Sequence, residues 1–233
     1  MTLLPRAEGD REVMDRADVP PDALRAALQD VAAVNRWLGG RRALLRHLDW
    51  ALPAGAHRVL DVGTGAADLP MAVVDWARRR GRSVRITAVD RHTGTVAVAA
   101  SRTAGSPEIR TVQGDGLRLP FRDGAFDLAL LSMTLHHMDG AALVCALTEL
   151  ARVARGGRVL VGELERCLPG YLGARFLAAT VWRAHPVTRH DGPLSVRRAF
   201  TPAELLGLGR RAGLRVPRVQ RHRFYRLVLC AEA

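Results

Sequence analysis

The sequence predicts an α/β fold: a doubly wound, mostly parallel sheet that ends in an antiparallel hairpin. Three observations carry this. Short apolar runs alternate with helix-period segments from residue 57 to residue 161, the pattern of parallel strands joined by crossover helices. Four successive apolar runs end in small or acidic residues: Gly63, Asp90, the Gly114-Asp115-Gly116 turn and Ser132. That lines one edge of the sheet with groups able to meet a ligand, and it is the edge at which doubly wound folds bind. Two β-like runs, 214–220 and 223–231, close the chain about two residues apart, so they pair as a hairpin.

Each element has its own local reason. The first twenty or so residues are polar and end in Pro20-Pro21, a boundary signal. A helix follows, with Leu24, Leu28, Val31 and Asn35 on one face, and Gly39-Gly40 stops it. A second short helix is expected over 41–50, before Pro53 and Gly55. Residues 58–62 read as the first strand, 71–80 as a helix, 84–89 as a strand ending in Asp90, and 93–101 as a helix. Strands follow at 109–112 and 126–131. Leu143, Leu147, Leu150 and Ala154 mark one face of the next helix, and Gly156-Gly157 precedes a strand at 158–161. Thr201-Pro202-Ala203-Glu204 opens the last helix with a Thr cap, a proline at the first position and a glutamate three residues after the cap. Residues 1–55 therefore read as an N-terminal helical cap and 56–233 as the main domain. Within it, 165–200 is an insertion holding four of the 11 aromatics (Tyr171, Phe176, Trp182, Phe200), and an aromatic-rich segment after a strand's carboxyl end is placed as a substrate lid.

Composition bounds the possibilities. A chain of 233 residues makes one domain, or one with a small attachment. Its 48% hydrophobic and 25% charged residues exclude a disordered chain, a collagen and a disulfide scaffold. The net charge is +12, but all 35 basic residues are arginine and none is lysine. This reads as compositional bias on a solvated surface, and a nucleic-acid partner is not expected. The three cysteines (Cys145, Cys167, Cys230) are far apart and form no ligand spacing, so no metal site and no disulfide framework are expected. The N-terminus lacks the apolar run of a signal peptide, and no stretch approaches the ~20 apolar residues of a membrane span. A cytoplasmic protein without a membrane partner is the expectation. Monomer and homodimer both fit the sequence.

The strongest motif is VLDVGTGAAD, residues 59–68. Its glycines let a ligand approach the backbone at a helix N-terminus. It is not the dinucleotide fingerprint, because Asp68 stands where the third glycine belongs. Asp61, two residues before the first glycine, suits an ammonium or sulfonium ligand and repels a pyrophosphate. Asp90 can accept from both hydroxyls of a ribose, and Asp115 from an adenine amino group.

In LDVGTGAAD, AVD at Asp90, GDGLRLPF, FDLALLSMTLHHM and ELARVARGGRVLVGE, spanning about 57–163, the chain resembles the class I S-adenosylmethionine-dependent methyltransferases, in particular the small-molecule branch that includes quinone C-methyltransferases. NRWLGGRRALL and RHDGPLSVRRAFTPAEL resemble a subgroup associated with polyketide and phenol tailoring. The resemblance implies a Rossmann-like seven-stranded fold, S-adenosylmethionine as cofactor and S-adenosylhomocysteine as product. It implies cofactor contacts from Asp61, Gly63, Thr64, Gly65, Asp90, Arg91, Asp115, Gly116 and Ser132. Gly63 and Gly65 would pass under the methionine part with Asp61 near its ammonium. Ala67 departs from the third glycine of many relatives, and its methyl is expected to cost little.

A phenolic or enolic acceptor must lose a proton, so a histidine base is sought. His136 and His137 follow the fourth strand. His136 is the favoured base, with shaping of the pocket as the alternative. Glu163, ending the fifth strand, is a candidate base or orienting group. His190, beside Asp191 in the insertion, either contacts the acceptor or fixes a loop. Arg197-Arg198 either anchor an anionic acceptor or are solvated. Asn35 is either a helix-end feature or aimed at the site. Trp37 is read as core, and Arg215, Arg218, Arg221, Arg223 and Arg226 as the exposed face of an edge hairpin. The expected reaction is methyl transfer to a small aromatic or polyketide-like acceptor, foremost on a phenolic or enolic oxygen, with C-methylation of a quinone-like ring as the alternative. An RNA methyltransferase, motivated by the charge, and a non-catalytic cofactor-binding partner are the readings from other classes.

Overall fold

A computed structural model describes residues 4–16 and 18–233. After a 3-10 turn at Val13–Asp15, helices α1 (Pro21–Trp37), α2 (Gly40–Leu45) and α3 (Leu48–Ala51) precede the sheet. Then β1 (Ala56–Val62), α4 (Asp68–Arg79), β2 (Ser83–Asp90), α5 (Thr93–Thr103), β3 (Ile109–Gln113) and β4 (Leu128–Ser132) follow. A second 3-10 turn, Leu135–His137, leads to α6 (Ala141–Val153) and β5 (Arg158–Leu164). The insertion forms α7 (Leu168–Ala179) and α8 (Pro186–Arg198), and α9 (Pro202–Arg211), β6 (Arg215–His222) and β7 (Arg226–Glu232) complete the chain.

The seven strands run in the order β3-β2-β1-β4-β5-β7-β6. The first five pair in parallel, and β7 pairs antiparallel with both β5 and β6. Side-chain alternation serves two cores. From β4, Ala129 and Leu131 enter the core under α6 and α9, while Leu128 and Leu130 enter the one beneath α2, α3 and α4. Both faces are covered, so the central strands are continuous apolar runs. The topology reverses between β1 and β4, and their carboxyl ends open the crevice that holds the site.

Several expectations shift. The helix expected over 41–50 breaks at Arg46-His47, which lets Leu44 and Leu48 both bury against the sheet. The fourth strand begins at Leu128 rather than Phe126, because Phe126 N–H donates to Val153 O at the end of α6 and is drawn out of the ladder. Trp37 is 72% exposed and not core. It lies two residues past Asn35, some 200° around the helix from the buried face, with the Arg36 guanidinium over its ring. Arg226 is buried and not on an exposed edge, because β7 is an interior strand and β6 is the edge. Arg198 is also buried. It donates to His136 O (2.7 Å), to the carbonyls of Ala7 and Asp10 and to Asp139, so it ties three segments together rather than facing solvent. The capping box at Thr201–Glu204 forms as its sequence requires. Among the described residues no helix is long and apolar enough to cross a membrane.

Candidate active site

The glycine loop after β1 is tied to the neighbouring strand. Gly63 and Thr64 N–H both donate to Val89 O (2.8 and 3.0 Å). Gly63 has φ +69°, and a Cβ there would sit 2.2 Å from Thr134 Oγ1, so only glycine fits between the loop and β4's exit. Asp90 accepts Gly65 N–H at 3.1 Å and His92 N–H at 3.0 Å, which fixes the loop and the start of α5 relative to each other. Asp115 uses one oxygen to accept Leu117 N–H (2.9 Å).

All nine cofactor candidates (Asp61, Gly63, Thr64, Gly65, Asp90, Arg91, Asp115, Gly116 and Ser132) line one cavity of about 210 Å³. Asp61 is buried with no basic partner among the described residues, and burial pushes its carboxyl up to about 7. Burial likewise raises Asp90, and Asp68 to about 6. Thr64 Oγ1 and Asp68 Oδ2 are buried without hydrogen-bond partners. Such orphaned acceptors and unneutralised acids call for a cationic, hydrogen-bonding occupant. Asp68 stands outside the nine yet lines the same wall; its place in the motif was visible, and its inward aim was not.

At the far end of this cavity, the 3-10 turn after β4 brings His136 and His137 side by side, ring centroids 4.4 Å apart. Glu163 lies under them. It accepts Leu135 N–H (2.8 Å) and His136 N–H (3.2 Å) on one oxygen and meets His136 Nδ1 at 2.7 Å with the other. Burial opposes its charge, but the His136 side chain and backbone hold it below the usual carboxylate range. It orients the imidazole. His137 Nδ1 meets Asp15 at 2.6 Å. Burial opposes charge on His137 too, yet Glu12 and Asp15 raise it to about 9.

Glu12 and Asp15 were missed by sequence reasoning. They sit in a segment that reads as a polar leader, three residues apart around Val13-Met14. Glu12 is 1% exposed, accepts Ser195 Oγ–H at 2.8 Å, and faces both imidazoles: 3.6 Å to His136 Nε2 and 3.8 Å to His137 Nε2. The segment is held by Asp191, which accepts Val13 N–H (2.8 Å) and Met14 N–H (3.0 Å). His190 lies apart from this cluster, in an outer cleft with Tyr171, Arg175 and Arg197, its Nδ1 2.8 Å from Asp191. Its neighbour Asp191 does the inward work.

A second cavity, of about 350 Å³, adjoins the first and shares Glu12, Met14, Val31, Asn35, Met133 and Ser195 with it. Its walls are mainly apolar. Phe176 and Trp182 of the insertion line it, while Phe200 belongs to the sheet core. Arg226 is the basic side chain in the wall, donating to Leu38 O at 3.2 Å and to Met133 Sδ at 3.0 Å. Burial lowers its guanidinium to about 10. Asn35 Oδ1 is buried and unpartnered beside both cavities, which favours the reading that aims it at the site.

Comparison with known proteins agrees with this geometry. A family model described as a methyltransferase domain matches residues 60–161. A demethylmenaquinone methyltransferase of Beutenbergia cavernae is 36% identical over 169 residues, 70% of this chain and 63% of that protein. One of Thermus thermophilus is 34% identical over 130 residues, 55% of this chain and 56% of that protein. The chain thus spans about three fifths of the length of these relatives. In fold, a SAM-dependent methyltransferase from Aquifex aeolicus superposes with a TM-score of 0.65 at 18% identity, over 92% of this chain and 98% of that one.

Proposed function

We propose that this chain is a class I S-adenosylmethionine-dependent methyltransferase that methylates a small, oxygen-bearing aromatic or polyketide-like acceptor. The observation that carries this reading is the pair of adjoining cavities. One is lined by acids and glycines and the other by apolar side chains, and they meet at Glu12.

The first cavity fits the cofactor. Asp61 offers a buried carboxyl with no basic partner among the described residues for the ammonium, Asp90 a carboxylate for the ribose, and Asp115 an oxygen for the adenine amino group. Gly63, Thr64, Gly65, Arg91, Gly116 and Ser132 complete the walls. When bound, S-adenosylmethionine supplies a methyl group already activated by the sulfonium charge, so positioning in a dry pocket does most of the remaining work. The apolar cavity excludes water around the acceptor ring, with Phe176 and Trp182 against it. Arg226 is placed to hold an acceptor oxygen that carries negative charge. The acceptor's reacting hydroxyl meets the histidine pair, and its proton is taken at His136 Nε2 while Glu163 holds Nδ1.

O-methylation of a phenol or enol is the leading assignment. C-methylation of a quinol-like ring is the second, favoured by the names of the two curated relatives; the same deprotonated oxygen would activate the adjacent ring carbon. Two experiments test the function. Calorimetric titration with S-adenosylhomocysteine should give one-to-one binding. Asp90→Asn, which keeps one oxygen acceptor for the loop, should weaken it by about 100-fold, the loss of charged hydrogen bonds worth ~3 kcal/mol. Turnover with labelled donor against a panel of phenols and naphthoquinols, with products resolved by NMR, separates O- from C-methylation. Absence of S-adenosylhomocysteine binding would sink the reading.

A further inference from the structure

We propose that Glu12, His136 and His137 bind a divalent transition-metal ion at the junction of the two cavities, with open coordination positions for oxygens of the acceptor. The inference rests on the acceptor reading above and deepens it.

The ligand atoms are already gathered. One carboxylate oxygen of Glu12 and a ring nitrogen from each histidine all lie within 4.8 Å of one another. Two histidines and one carboxylate form a set used both by catalytic zinc and by non-haem iron, each with positions left open. Bonds of ~2.1 Å place adjacent ligand atoms about 3.0–3.4 Å apart. Glu12 Oε1 lies 3.6 Å from His136 Nε2 and its other oxygen, Oε2, lies 3.8 Å from His137 Nε2, so the carboxylate spans the two rings and the side chains close onto a shared ion when it binds.

The second observation is the support behind the ligands. His136 Nδ1 is held by Glu163 at 2.7 Å and His137 Nδ1 by Asp15 at 2.6 Å. Carboxylates behind both rings fix the tautomer that leaves Nε2 free to coordinate, as in carboxylate–histidine–metal arrangements. Ser195 Oγ–H steadies Glu12 in the same way. Three carboxylates, Glu12, Asp15 and Glu163, face the two imidazoles, with the Arg91 guanidinium 3.9 Å from Asp15 and Arg226 acting on Glu163. The mixed nitrogen and oxygen set favours Zn²⁺ or Mn²⁺ over Mg²⁺.

An acceptor with two adjacent oxygens, a vicinal diol or hydroxy-ketone on a ring, would bind by chelation. The bound hydroxyl would lose its proton to solvent and remain as the metal-held oxyanion, and His136 Nε2 would then serve as ligand instead of base.

The test uses the full chain without an affinity tag, stripped with chelator. It is dialysed against Zn²⁺, Mn²⁺ or Mg²⁺, and metal content is measured by atomic emission. Co²⁺-loaded protein gives an independent visible spectrum. One Zn²⁺ or Mn²⁺ per chain is expected. Glu12→Gln and His137→Ala should each weaken it at least about tenfold, with each variant shown to be folded by its melting transition. If either variant unfolds, Ser195→Ala, expected to weaken binding modestly, replaces it. Wild-type protein without stoichiometric metal, or Glu12→Gln binding as wild type does, would overturn the proposal. Failure of S-adenosylhomocysteine binding counts against the methyltransferase reading alone, because the metal measurement does not use it.

Discussion

At the scale of single residues, Asp61 and Ala67 show how a motif and its environment divide the work. The motif puts an acid before the glycines; burial then raises that acid to about 7. Its folded-state value is thus above its unfolded one. The ligand-free protein therefore loses stability as pH rises from the ordinary aspartate range to about 7, since the unfolded chain gives up this proton first. A cationic ammonium reverses the cost, so affinity for S-adenosylhomocysteine should rise about tenfold between pH 6 and 8. Asp61→Asn should bind weakly and show no such slope; an equally steep profile in that variant would reject Asp61 as the ammonium partner. Ala67 was expected to be nearly free of cost. It has φ +56°, a left-handed conformation that disfavours Cβ by ~1 kcal/mol. Ala67→Gly should therefore raise the unfolding free energy by about that amount in urea titration.

At the scale of elements, the short 3-10 turn at Val13–Asp15 matters more than its three residues suggest. It has no cap of its own, and Asp191 of α8 supplies both missing acceptors. Through that contact the insertion decides where Glu12 and Asp15 sit. Asp191→Ala should cost about 1–2 kcal/mol. It should lower turnover between about 10- and 100-fold, because displaced Glu12 lines both cavities and faces the histidine pair. Affinity for S-adenosylhomocysteine should stay within about twofold, as Asp191 is remote from the Asp61–Asp90 wall. A parallel loss of both would mean that the turn supports the whole crevice. The outer face of α7 adds a different feature: Leu168, Leu172 and Phe176, one turn apart, are all exposed, and Phe176 also lines the apolar cavity, so this stripe borders that cavity's wall.

At the scale of the whole molecule, ligand and stability are linked by mass action. S-adenosylhomocysteine at 100 times its Kd should stabilise the fold by about 2.7 kcal/mol. For a chain of this length that raises Tm by about 5–10 °C, measurable by differential scanning fluorimetry; no shift at saturation would mean that the site does not bind it. The arginines give no contrary signal. Several are spent in scattered pairs such as Arg58–Asp127, Arg78–Glu108 and Arg152–Glu149. The sequence by itself determined the sheet, the crevice edge and the acid-and-glycine wall of the first cavity, because strand periodicity and strand-end residues are local properties, and a parallel sheet with right-handed crossovers leaves few ways to assemble them. It placed His136, His137 and Glu163 at that edge for the same reason. Only the tertiary structure decided what surrounds them. Glu12 reaches His136 across more than a hundred residues, Arg226 is interior because of where β7 inserts, and His190 turns away while Asp191 turns in. Such meetings depend on how the N-terminal segment and the insertion pack over the sheet, and no residue spacing along the chain encodes that packing.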